Sequence, residues 1–297
     1  MTENYAGAGP VDDAPGPGIV PFRALRAGEI VIGAMRFVLA NPVPVLLASL
    51  VLALPTAVVR GIGVASASVD PFVVVMFDGL VPALLMLALA PPATAMVLAT
   101  LRTAVLDRRP VVLGEAWEAA RPRLGALYGL TLAVTGVVVV FMLLAGGAVL
   151  LSVSPSSAAA GAVLTVLVLA AYPVMLWMTV RFVLAPVALV LETLPVGAAL
   201  RRSVHLVRGS WWRCLGTLLL AGLPAALVLL VASFVATLLS QVYGPPAFVA
   251  IGIPILAIAQ AAIFGFGVGV IGLLHRDQHI RQEERAAAFG AVAGLER

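Results

Sequence analysis

The sequence predicts an all-α integral membrane fold: six transmembrane helices as three parallel repeats of one interfacial amphipathic helix and two spans, in a pseudo-threefold bundle. Three observations carry this prediction. Six apolar segments can cross a bilayer, arginine is confined to one set of the loops between them, and a short amphipathic stretch recurs before every second segment. Of 297 residues, 62% are hydrophobic and 11% charged, whereas a soluble domain carries about 25% charged residues. There is too little polar surface to cover a water-soluble core.

The chain opens with MTENYAGAGPVDDAPGPGIVPF, residues 1–22, which holds Glu3, Asp12 and Asp13 but no basic residue and no apolar run. A secretory leader has the opposite pattern, so this Gly- and Pro-rich stretch reads as a disordered cytoplasmic tail. Residues 23–285 form the membrane domain, with repeat units of about 23–105, 106–192 and 193–285. The spans fall at 42–60, 75–101, 125–151, 161–180, 214–239 and 247–274. Each reaches or nearly reaches the roughly 20 residues a spanning helix needs. Residues 286–297 form a cytoplasmic C-terminal tail.

Orientation follows from the basic residues, all of which are arginine. Seventeen of the eighteen lie in the N-terminal segment, the 102–123 loop, the 181–213 loop or the C-terminal tail; Arg60 alone lies in the other set. Basic loops stay cytoplasmic, so both termini are expected inside a plasma membrane. Trp117, Trp177, Trp211 and Trp212 fall at the same boundary, as an interfacial aromatic belt requires.

The repeats are visible from Leu25 (LRAGEIVIGAMRF), Val111 (VVLGEAWEAARPR) and Leu194 (LPVGAALRRSVHLVRGSWWR). Gly28, Gly114 and Gly197 align at spacings of 86 and 83 residues. In the third stretch Leu200, Val204, Val207 and Trp211 share one helical face, and Arg201, His205, Arg208 and Trp212 the next. In the first, Ile30, Ala34 and Phe37 oppose Arg26, Glu29 and Arg36. In the second, Trp117, Ala120 and Leu124 oppose Glu115 and Glu118. Such helices lie in the headgroup plane, apolar face down. They turn into the membrane at Pro42 and Pro44, at Pro122 and at Gly209-Ser210. An even number of spans per unit makes the repeats parallel, related by an axis along the membrane normal.

Few residues invite chemistry. HRDQHIRQEER, from His275, contains the triplet of a kinase catalytic loop without that family's other signatures. His275 and His279 are four apart and with Asp277 could approach a metal, but a zinc site wants three or four converging ligands, and the segment reads instead as a solvated helix leaving the bilayer. Asp78 lies near the outer interface, where an acid costs little. Pro91 and Pro92 fall mid-span and remove two backbone donors; they are either a covered kink or a pathway hinge. Gln260 is the most polar residue near the centre of the sixth span, where it would bond a neighbouring helix, and Gly265, Gly267, Gly269 and Gly272 suit close packing. The lone Cys214 allows no intrachain disulfide. The main enzyme and metal signatures, a phosphate-binding P-loop among them, are missing, so no catalytic, cofactor or metal residue is assigned.

The third unit, LVLETLPVGAALRRSVHLVRGSWWRCLGTLLL from Leu189, resembles the six-span membrane domain found beside glycerophosphoryl diester phosphodiesterases and its uncharacterised stand-alone relatives in actinobacteria. LRAGEIVIGAMRFVLANP and HRDQHIRQEE fit the same pattern, so the resemblance covers most of residues 22–285. It implies a fold, not a reaction, because the catalytic barrel of the phosphodiesterases has no counterpart in these 297 residues. The expected role is a non-enzymatic scaffold or accessory subunit. Arg26, Arg36, Arg201, Arg202, Arg208, Trp211 and Trp212 would contact lipids, anionic ones included, or a membrane or cytoplasmic protein partner. The basic residues form no patch suited to nucleic acid. The alternative is a small transporter or lipid-handling protein working through Pro91, Pro92 and Gln260.

Overall fold

The computed structural model describes residues 25–65, 77, 80–104, 113–153 and 158–295. The tail at 1–22, Asp78 and parts of the loops 61–74 and 152–160 lie outside them. The described residues form helices and turns, with no strand among them. In chain order the helices are α1 (Ala27–Ala40), α2 (Pro42–Ala65), α3 (Val81–Arg102), α4 (Leu113–Ala120), α5 (Leu124–Val153), α6 (Ala158–Phe182), α7 (Ala185–Leu191), α8 (Val196–Val207), α9 (Trp211–Tyr243) and α10 (Ile253–Leu295). A short helix precedes two long ones three times, with α7 outside the pattern. Five stretches are long and apolar enough to cross a membrane: Pro42–Gly63, Val81–Arg102, Ala159–Leu191, Trp211–Tyr243 and Phe248–Glu284. Helix α5, 30 residues long, packs against α3 and α6.

The turns fall where the local chemistry puts them. Asn41 ends α1, its backbone and side-chain N–H groups both donating to the Phe37 carbonyl, at 3.1 and 3.2 Å. Pro42 then opens α2, where a missing N–H costs nothing. Pro122 sits in a 3-10 turn, Arg121–Arg123, between α4 and α5. Gly209, at φ +81°, makes the turn between α8 and α9 in a conformation that glycine adopts without strain.

Helix α10 organises the core, touching α1, α2, α3, α7, α8 and α9. A Cβ added at Gly265 would overlap Val45 of α2, and one at Gly272 would overlap Leu101 of α3. At Gly269 a Cβ would stand 3.1 Å from Phe37 of α1. Small residues therefore set the approach of three neighbours, while Gly267 faces open space. Lipid tails are as apolar as leucine, so such an interface is held by close packing rather than by hydrophobic burial.

The candidate spans differ widely in burial. Half of the apolar stretch of α3 is buried (50%), but only 6% of that of Ala159–Leu191. Likewise 39% is buried in Pro42–Gly63 and 11% in Trp211–Tyr243. Helices α2, α3 and α10 carry the most buried of these stretches, whereas α6 and α9 reach the core through fewer residues, among them Val180, Cys214, Ala221 and Ala236.

The amphipathic faces follow the sequence reading in α1 and are shifted from it in α4 and α8: Trp117 is exposed while Ala116 and Ala120 are buried, and Leu200, Val204 and Trp211 are only half-buried. Ile30, Ala34 and Phe37 are fully buried and Arg26 and Arg36 exposed. In α8, Ala199, Ser203, Leu206 and Val207 are buried while Arg201, His205 and Arg208 are exposed. The apolar face of α1, however, packs on α9 and α10 rather than lying directly on a headgroup layer.

Candidate functional site

Helix α10 runs 43 residues, to Leu295, without a break. At about 1.5 Å per residue it is roughly 65 Å long, twice what a bilayer core requires. Its extension carries the charged HRDQHIRQEE segment, expected to be solvated. The structure corrects that reading: His275, Asp277 and Gln278 are all at least 95% buried. The physical reason is that four other segments converge on this end and bring complementary charge and hydrogen bonds.

Asp277 stands at the centre. Its Oδ1 accepts the Leu25 N–H at 2.7 Å, its Oδ2 the Arg213 Nη2 at 2.9 Å, and both oxygens the Arg281 Nε at 3.1 and 3.0 Å. Arg213 and Arg281 also donate from their Nη2 atoms to the Leu25 carbonyl, Arg281 at 3.0 Å. One carboxylate and two guanidinium groups thus hold both polar groups of a single peptide residue, the one before the N-cap Arg26 of α1. A buried carboxylate persists as an ion only when paired and hydrogen-bonded in this way.

Two further contacts extend the cluster. Ser210, the N-cap of α9, donates its hydroxyl to Gln278 Oε1 at 2.8 Å, and Gln282 Nε2 donates to the His205 carbonyl at 3.0 Å. Glu192, at the end of α7, accepts Arg202 Nε on both oxygens, at 3.0 and 3.2 Å. His275 Nε2 lies 3.0 Å from Glu192 Oε1, an ion-pair distance outside hydrogen-bond geometry. The turn that places Glu192 is strained: Thr193 has φ 56°, rare for a β-branched residue. Its carbonyl accepts Arg123 Nη1 at 3.4 Å.

Of the arginines expected to meet lipid or a partner, Arg26, Arg36, Arg201 and Arg208 are exposed. Arg202 differs, because Glu192 holds it back against the protein. Trp212 is 79% exposed and Trp211 half-buried, the rings meeting edge to face at 4.7 Å. Trp211 Nε1 donates to the Trp177 carbonyl at 3.5 Å, and the Arg181 guanidinium lies 4.5 Å from the Trp177 ring centroid. Arginine and tryptophan thus share one end of the molecule, as the belt pattern predicts.

Pro91, Pro92 and Gln260 do not form one site. Helix α3 continues through the proline pair, with Pro91 buried. Pro92 cannot donate to the Ala88 carbonyl, and Tyr128 of α5 does so instead, its hydroxyl at 2.7 Å. Gln260 turns to α2, where the Thr56 hydroxyl is shared between Gln260 Oε1 at 3.0 Å and the carbonyls of Leu52 and Ala53. It lines a cavity of about 240 Å³ with Arg60, Met86 and Phe264. Among the described residues no group of three or more His, Cys, Asp or Glu side chains could hold a metal ion.

The sequence reading missed Asp277, Arg213, Glu192, Ser210, Gln278 and Tyr128 as partners. A signal existed for two of them: Asp277 and Arg281 are four apart on one helix, and Arg213 is a charge placed inside an apolar lead-in. No known protein family, curated protein or solved structure matches this chain.

Proposed function

We propose that the chain is a six-span membrane scaffold or accessory subunit, with α5 as the sixth span, that carries out no reaction of its own. In this reading both termini and the arginine-rich end face the cytoplasm of a plasma membrane. The protein belongs with the stand-alone relatives of the phosphodiesterase-associated membrane domain that its sequence resembles. The recurring order of one short and two long helices supports three repeated units. The working surface is the row of exposed arginines, Arg26, Arg36, Arg201 and Arg208, with Trp212 beside them, facing anionic lipid or a partner.

The observation that carries this reading is the contrast within one end of the molecule. The acids Asp277 and Glu192 are engaged in joining elements, whereas these four arginines point outward. Near an anionic surface each such residue contributes about 1 kcal/mol. Replacing the four with Gln, in protein reconstituted into phosphatidylcholine vesicles containing phosphatidylglycerol, should abolish salt-sensitive enrichment of the anionic lipid around the protein. Unchanged enrichment would sink the assignment. Reporter fusions after residues 110, 195 and 285 should read cytoplasmic, and fusions at 65, 156 and 243 external. The Tyr128 bond to Ala88 supports a fixed kink at Pro91-Pro92 over a transport pathway.

A further inference from the structure

We infer that the exposed face of α6 is the contact between two copies of this chain, in which the Tyr172 hydroxyl of each donates to the Leu169 carbonyl of the other. The protein already makes a repair of this kind. Pro92 cannot donate to the Ala88 carbonyl of α3, and Tyr128 of a neighbouring helix donates in its place, at 2.7 Å. Helix α6 has the same defect without the repair. Pro173 lies inside it and cannot donate to the Leu169 carbonyl. Among the described residues no side chain supplies the missing donor.

The donor that such a carbonyl needs stands on the same face. Leu169 is 65% exposed and Tyr172 58%, and residues three apart are neighbours on a helix surface. The Tyr172 ring meets Phe141 of α5 edge to face at 5.8 Å, and among the described residues its hydroxyl has no acceptor. Residues 137–144 of α5, around Phe141, carry only apolar side chains, so this neighbour offers none. Depth keeps water away. Tyr172 is nine residues from Arg181 and fourteen from Ala158, about 14 and 21 Å along the helix, inside a stretch able to cross a membrane. A lone carbonyl or hydroxyl there is costly unless protein meets it.

Two features select a second copy as the occupant. Copies in one bilayer share one orientation, so a two-fold axis between them runs along the membrane normal, and groups that meet across it must lie at equal depth. Side chains of a helix lean toward its N-terminus, whereas its carbonyls point toward its C-terminus. The Tyr172 phenol therefore leans back toward the level that the Leu169 carbonyl reaches from below. Donor and acceptor meet the depth requirement, and the symmetry uses each of them twice. The second feature is room. Only 6% of Ala159–Leu191 is buried, and Val166 and Leu176 extend the exposed face to either side of the pair.

This inference rests on α6 crossing the membrane, as proposed above, and not on the exposed arginines. Full-length protein in mild detergent should sediment at equilibrium as a monomer and dimer in exchange. Tyr172→Phe keeps the ring on Phe141 and should weaken the dimer about eightfold, because two interhelical bonds are lost at once. Pro173→Ala returns an N–H to the Leu169 carbonyl and should weaken it by a similar factor, and the double variant should be no weaker than Tyr172→Phe alone. Tyr243→Phe, at an exposed tyrosine ending α9, should change nothing. In phosphatidylcholine vesicles and a Cys214→Ser background, Leu169→Cys should cross-link between copies on mild oxidation, and Leu219→Cys, on the exposed face of α9, should not. A monomer at every concentration, a Tyr172→Phe dimer as tight as the unaltered one, or cross-linking through Leu219→Cys instead would overturn the interface. Additive losses in the double variant would overturn the pairing of these two groups. Reporters at 156 and 195 reading the same side would remove the membrane reading of α6 itself, whereas opposite readings with a monomeric protein would overturn only the dimer.

Discussion

The two ends of the polar problem in this protein are solved differently. Within the spans, two polar groups are each met by one side chain: Tyr128 for the Ala88 carbonyl, Thr56 for Gln260. At the arginine-rich end, Asp277, Arg213, Arg281 and the Leu25 peptide share their bonds as one cluster. The difference teaches that isolated repairs suffice where backbone groups are already helical, whereas gathering chain segments that are far apart in sequence takes charge. Membrane hydrogen bonds between side chains are weak, averaging about 0.6 kcal/mol, because the unfolded-in-membrane state also finds partners. A buried ion has no such alternative, so removing its partner is expensive.

The comparison can be broken at its strong side first. Asp277→Ala leaves Arg213 and Arg281 facing each other without their carboxylate, and should cost about 3–5 kcal/mol in detergent unfolding. Asp277→Asn retains an acceptor for the Leu25 N–H and should cost less. A loss no larger than that of a midplane variant would erase the distinction. Next, Tyr128→Phe strips the Ala88 carbonyl of its donor. It should cost about 1–3 kcal/mol, measured by the same unfolding, and no loss would mean that the carbonyl finds water. Gln260→Leu should cost only about 0.6 kcal/mol; a loss near that of Asp277→Ala would make the Thr56 contact part of a larger network. Finally, a cysteine at Ala93, in a Cys214→Ser background, should show no labelling by a small water-soluble thiol reagent, since Ala93 is fully buried. Labelling there would reopen the proline pair as a hinge.

The helices and their faces were legible because periodicity is local. Ile30, Ala34 and Phe37 could be assigned inward from α1 alone, and Gly209 marked a turn by its own conformational freedom. The cluster around Asp277 was not legible for the opposite reason. Its first partner, Leu25, is 252 residues away and contributes only backbone atoms, which no side-chain pattern reveals. HRDQHIRQEE reads as solvated because its charges surround the helix, and nothing within it says that the start of α9 supplies an arginine and a serine. The proline pair was conspicuous, but Tyr128 was not, being one tyrosine at the start of an apolar run. The unequal burial of the candidate spans was equally hidden, since it depends on which of them meet in space.

The bond between Leu25 and Asp277 also sets a schedule for biogenesis. At about 5–20 residues per second, the 252 residues between them take roughly 13–50 s to synthesise. Throughout that interval α1 is without its anchor, and Arg213, made 188 residues after Leu25, waits 64 residues more for the same carboxylate. The arginine-rich end can close only when the final helix has been delivered, so this end is completed by the last part of the chain rather than the first. A chain stalled before Asp277 would have its early spans in place but its first helix unfastened. That exposed end is the state a membrane quality-control protease would meet.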